Sequence, residues 1–154
     1  MQFTQSIGLG HVGLNVTDID SAKQFFVDAL GFEIAGEGQH HGSRFAFLGH
    51  NGKMTLTLWE QSTKGAEFSV HQPGLHHLAF AVDDIARLEE VREHLKSRNV
   101  TFFHEGDIVA HREGGDSSAI YFAGPDNTRL EVFAPNGGKS LSAPVSGAPT
   151  CGFF

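Results

Sequence analysis

Two histidines and one glutamate are spaced so that they could share a metal ion. Residues 11–19 read His11-Val-Gly-Leu-Asn-Val-Thr-Asp-Ile, and residues 77–85 read His77-Leu-Ala-Phe-Ala-Val-Asp-Asp-Ile. Each phrase starts on a histidine, alternates small and apolar residues, and ends in Asp-Ile. Glu131 stands in Thr128–Phe133, where alternation puts Arg129, Glu131 and Phe133 on one strand face and Leu130 and Val132 on the other. A carboxylate among apolar neighbours needs a partner, because burying it alone is costly. His11, His77 and Glu131 form a two-histidine, one-carboxylate set, and such a set with open positions suits Fe(II). His76 lies on the opposite strand face from His77, and the repeat selects His77.

The elements that would position these residues also come in two copies. A helical pattern opens at Asp18 or Asp20, carries Ala22, Phe25, Phe26, Ala29 and Leu30 on one face, and stops at Gly31. A second opens at Asp83 or Asp84 and repeats the geometry with Ile85, Leu88, Val91 and Leu95. Three strand-like segments follow each helix: Phe32–Gly36, Ser43–Leu48 and Met54–Glu60, then Thr101–His104, Ser118–Phe122 and Thr128–Phe133. His50-Asn51-Gly52-Lys53 and Gly124-Pro125-Asp126-Asn127 are turn signals. The expected fold is α+β, with two βαβββ modules in tandem (about 6–62 and 74–135) in one domain over 1–135, forming an open eight-stranded, barrel-like cleft. Residues 136–154 are rich in Gly, Pro, Ser and Ala and are expected to form an extended tail. Their composition alone suggests disorder, with Phe153 and Phe154 as candidate anchors.

Composition narrows the partners. The chain has 154 residues, 40% hydrophobic and 19% charged, with a net charge of −7. An acidic chain is not expected to bind nucleic acid or an anionic membrane, which need a basic face. No apolar run approaches the roughly 18 residues of a membrane span, and the first residues do not resemble a signal peptide. One cysteine, Cys151, cannot form an internal disulfide, so a reducing, cytoplasmic setting is expected.

The layout resembles the vicinal oxygen chelate superfamily, which includes glyoxalase I, type I extradiol dioxygenases, fosfomycin-modifying thiol transferases, methylmalonyl-CoA epimerase and bleomycin-resistance proteins. Three motifs carry the resemblance: Gly10–Val16, His77–Asp84 and Ile120–Phe133. It implies a metal-dependent dioxygenase or lyase acting on a small molecule, a homodimer, and metal ligands at His11, His77 and Glu131. Fe(II) is favoured, with Mn(II), Ni(II) or Zn(II) as alternatives. Glyoxalase I and the epimerase typically add a carboxylate on the last strand of the first module. Thr57 stands there in this chain, and Glu60 would face the other way. The three-ligand pattern is similar to that of the extradiol enzymes. There a tyrosine ten residues before the carboxylate corresponds to Tyr121, and an acid/base histidine corresponds to His111, one residue from the usual spacing. The resemblance therefore favours an extradiol-like enzyme acting on a catechol-like or other vicinal-oxygen substrate. A lactoylglutathione lyase or a thiol transferase is the alternative, the latter because Gly114–Ser118 resembles its supporting loop. A metal-free, bleomycin-resistance-like binding protein, with its groove lined by Trp59 and some of the fourteen phenylalanines, is a third reading.

Overall fold

A computed structural model describes residues 7–154, so the expected module start at residue 6 and the first residues read for a signal lie outside it. The chain divides into two compact units, residues 1–66 and 67–154. Each carries one helix and one four-stranded mixed sheet, and the two repeat the same βαβββ order.

In the first unit β1 (Val12–Asn15) leads into α1 (Ile19–Leu30), followed by β2 (Glu33–His40), β3 (Ser43–His50) and β4 (Lys53–Trp59). The sheet order is β1-β4-β3-β2. Asp18 caps α1 by accepting from the Ser21 N–H at 2.8 Å, and Gly31 ends it at φ 69°, a conformation that costs glycine little. Ile19, Ala22, Phe26 and Ala29 are buried on the inner face, whereas Phe25 and Leu30 are only half-buried. The sheet supplies Leu14, Ala46, Leu48, Leu56 and Leu58 to the same core. The other sheet face carries Phe45, Phe47 and Trp59, with ring centroids 5.3–6.2 Å apart.

β2 runs four residues beyond the expected Gly36. The glycines at 36 and 38 pair with Phe47 and Phe45 across the ladder, and His41-Gly42 makes the tight turn at φ 47° and 85°. His40 is therefore the last residue of β2.

The second unit repeats the plan with β5 (Leu78–Ala81), α2 (Ile85–Ser97), β6 (Val109–Ala110), β7 (Ser118–Ala123) and β8 (Arg129–Ala134), in sheet order β5-β8-β7-β6. Asp84 caps α2 by accepting from the Arg87 N–H. Leu88 and Leu95 pack under Ile120, Phe122, Leu130 and Val132, all buried.

The expected strand at Thr101–His104 is not formed. Phe102 makes a single bridge to Phe122, and His104, Glu105 and Gly106 take φ values of 49°, 58° and 76°. The Phe103 N–H donates to the Tyr121 carbonyl and the Ala123 N–H to the Thr101 carbonyl, but three successive left-handed residues cannot continue a strand, so the chain turns there and pairs again at Val109–Ala110.

Residues 136–154 are ordered against this unit, contrary to what their composition alone suggests. The Ser118 hydroxyl donates to the Asn136 carbonyl, the Gly138 N–H to the Asp116 carbonyl, and the Ala110 N–H to the Ser142 carbonyl. The last of these satisfies a backbone group that the two-residue edge strand leaves open. Phe154 is buried, while Phe153 is exposed.

Candidate functional site

The candidate site lies on the face of the β5-β8-β7-β6 sheet opposite α2. β5 and β8 run parallel with Ala79 beside Glu131, and β7 pairs antiparallel with β8 so that Tyr121 stands directly across from Glu131. Glu131, Tyr121, Ala119 and Phe133 therefore share one face. His77 immediately precedes β5, and His111 immediately follows β6.

Glu131 is 2% exposed and held between two imidazoles. His111 Nε2 lies 2.5 Å from its Oε1, and His77 Nε2 lies 3.2 Å from its Oε2. These contacts answer the burial penalty of the carboxylate. Both ring nitrogens of His111 are engaged, since Nδ1 lies 2.8 Å from the Ser117 hydroxyl. The His111 backbone is also fixed: its N–H donates to the Ser117 carbonyl and its carbonyl accepts from the Thr150 N–H. His77 Nδ1 lies 2.8 Å from His76 Nδ1. Burial holds the His77 pKa below its ordinary value, favouring the neutral imidazole, the form that binds metals.

Tyr121 is 1% exposed, and its hydroxyl has no hydrogen-bond partner among the described residues. Burial, and after it the negative charge of Glu131, pushes its pKa upward, so the phenol stays protonated as a donor. An orphan donor beside a carboxylate is uncommon in a finished core and suits a site that receives a ligand. Phe154 packs on Tyr121 with centroids 4.4 Å apart, and the Arg129 guanidinium sits 5.3 Å from the Phe154 ring centroid and 5.8 Å from that of Phe103.

One ligand atom from each of His77, Glu131 and Cys151 lies within 4.8 Å of the others. Nitrogen, carboxylate oxygen and sulfur donors at that spacing fit a divalent cation. His77 and Glu131 thus form a possible metal site.

His77, His111, Tyr121 and Glu131 are brought together in the second unit. His11 belongs to the first unit, where it is exposed at the head of β1. Gly13 stands beside Thr57 there as Ala79 stands beside Glu131, so Thr57 occupies the position equivalent to Glu131. Its hydroxyl accepts from Trp59 Nε1 at 3.0 Å. Glu60 is engaged elsewhere: it takes two bonds from Arg44, at 2.7 and 2.8 Å, and one from the Ile19 N–H at 3.1 Å, where α1 begins. Arg44, followed by that N–H, holds the Glu60 pKa low.

Sequence reasoning did not single out Ser117, Cys151 or Phe154 as site residues. Ser117 lies in the glycine-rich loop already noted. Nothing in the spacing of the tail marked Cys151, which meets the site only because the tail folds back.

The model of the Glyoxalase/Bleomycin resistance protein/Dioxygenase superfamily matches residues 8–132. The chain belongs to that superfamily. Among curated relatives, it is 25% identical over 129 residues to a catechol-2,3-dioxygenase of Bacillus subtilis (strain 168), covering 82% of this chain but only 41% of that protein. It is 29% identical over 134 residues to a lactoylglutathione lyase of Haemophilus influenzae, covering 84% and 94% of the two chains. Among solved structures, it is similar to a glyoxylase/bleomycin resistance protein/dioxygenase domain from Frankia sp. EAN1pec, with TM-score 0.73, 25% identity, and 84% and 98% coverage. The fosfomycin resistance protein FosX from Listeria monocytogenes, complexed with Mn(II) and sulfate, shares the fold at TM-score 0.61 and 20% identity, over 84% and 93% of the chains. Superfamily membership accounts for the paired modules. Among the described residues, no helix is long and apolar enough to cross a membrane.

Proposed function

We propose that the protein is a divalent-metal-dependent enzyme of the extradiol-dioxygenase type, acting on a catechol-like small molecule with two neighbouring oxygens. The observation that carries this reading is the asymmetry between the modules. Glu131 is a buried carboxylate among imidazoles, whereas its counterpart Thr57 is a hydroxyl and Glu60 is engaged by Arg44. That asymmetry supports a reading with three ligands and open positions. His11, His77 and Glu131 would hold the metal, Fe(II) by preference, with Mn(II), Ni(II) or Zn(II) as alternatives. When bound, the metal supplies Lewis acidity and, as iron, the electron transfer needed with O2 as co-substrate.

The chain's own residues do the rest. Tyr121 donates its phenolic hydrogen to a substrate oxygen. His111, held by Ser117 at Nδ1, would take up and return the substrate's hydroxyl proton at Nε2, the atom that faces Glu131 in this structure. Phe103 and Phe133 give the site apolar walls that exclude water. The protein is expected to work as a homodimer in the cytoplasm.

The lyase reading is supported by the near full-length likeness to the lactoylglutathione lyase. Anaerobic reconstitution with Fe(II), followed by O2 and a panel of catechols, tests the proposal through the yellow ring-fission product. Turnover of methylglyoxal–glutathione hemithioacetal by the same protein, with no ring fission, would favour the lyase instead.

A further inference from the structure

We propose that Cys151 is a metal ligand, its thiolate joining a His77 ring nitrogen and a Glu131 carboxylate oxygen around one divalent cation. The inference rests on the metal reading of His77 and Glu131 and adds a donor that the repeated modules do not contain. The three donor atoms lie within 4.8 Å of one another.

The tail is fastened on both sides of the cysteine. Before it, Thr150 is fully buried, donates its hydroxyl to the Ala110 carbonyl at 2.9 Å, and donates its N–H to the His111 carbonyl at 2.8 Å. After it, Phe154 is buried against Tyr121, His77 and Phe103. Cys151 sits in the short turn Thr150–Gly152 between these anchors and packs on the same cluster as Tyr121. A second observation points to a ligand at this place. The Tyr121 hydroxyl is buried on the Glu131 face without a partner among the described residues, and a molecule or ion bound to the metal would accept its hydrogen.

The chemistry is specific. A thiolate is a soft donor that favours zinc, cobalt, copper or iron over manganese or magnesium. Ligation replaces the S–H bond with a metal–sulfur bond and releases one proton to solvent, with no change in oxidation state. The ordinary alternative is that Cys151 packs as a small apolar residue.

The test is anaerobic titration of the full chain with Co(II) under reducing conditions. A thiolate–cobalt charge-transfer absorption in the near-ultraviolet should saturate at one Co(II) per chain. It should vanish in Cys151→Ser, whose Co(II) affinity should fall at least about tenfold. Because Cys151 is the only cysteine, its alkylation by iodoacetamide in the wild-type chain reads the same contact without any variant. Zn(II) should slow that alkylation at least about tenfold. A chain that binds Co(II) and loses it on Glu131→Ala, yet shows no charge-transfer band and no protection of the thiol, overturns the Cys151 assignment and leaves the metal reading standing. A chain that takes up no Co(II) overturns both.

Discussion

The buried Tyr121 hydroxyl has no partner among the described residues. Removing that hydroxyl deletes an unpaired buried group, so Tyr121→Phe should leave stability unchanged or raise it by up to about 1 kcal/mol in urea unfolding. If the phenol donates to a substrate oxygen, the same change should lower kcat about ten- to a hundredfold while metal content stays constant. A Tyr121→Phe enzyme with full activity would remove Tyr121 from the mechanism.

Glu60 makes the opposite prediction. Its carboxylate joins Arg44 to the start of α1, and its pKa is depressed in the fold. A depressed carboxylate stabilises the fold above its unfolded pKa, near 4.5, and that stabilisation disappears as pH falls through the folded value. Glu60→Ala should therefore cost about 1 kcal/mol at pH 7, discounted for the partial exposure of the pair. The gap from wild type should narrow as pH falls below 4.5 and close once pH passes below the folded value, in denaturant titrations. A gap that persists there would mean that Glu60 acts through packing and not through charge.

At the scale of elements, much was legible because repetition is strong. Helix caps at Asp18 and Asp84, the stop at Gly31 and the strand pairs that flank Thr57 and Glu131 all follow from local chemistry and alternation. The second module's edge was not legible. His104 and Glu105 take left-handed conformations unusual for such residues, and no propensity marks them. The tail was legible only in its anchor: Phe154 is buried as its apolar character suggests, whereas the backbone bonds that fasten the rest to the site loop leave no periodicity to read.

The tail and the site loop also make a test at this scale. A Cβ at Gly138 would come 2.4 Å from the Ser117 carbonyl oxygen and 2.8 Å from those of Asp116 and Gly115. Gly138→Ala must therefore push away the loop whose Ser117 holds His111. It should cost about 1–3 kcal/mol and lower activity. A variant as stable and active as wild type would show that the tail and loop separate freely.

Across the whole molecule, the two modules share one plan but fill the carboxylate position differently, and the proposed function rests on that difference. Both keep a histidine just before the first strand. The first module fills the carboxylate position with Thr57, bonded to Trp59, and turns its other carboxylate, Glu60, to the support of a helix. The second keeps Glu131 buried between His77 and His111. Composition could restrict the partners but not select the reaction, because that choice depends on a few side chains within a shared fold.

The proposal stands or falls on whether Glu131, with His11 and His77, holds one catalytic divalent metal. The direct measurement is elemental analysis of the full-length chain after anaerobic Fe(II) reconstitution and desalting, with Glu131→Ala treated identically and checked for folding by circular dichroism. One iron per wild-type chain and almost none on the folded variant is the expected result. Equal metal on both, or none on the wild type, would contradict it.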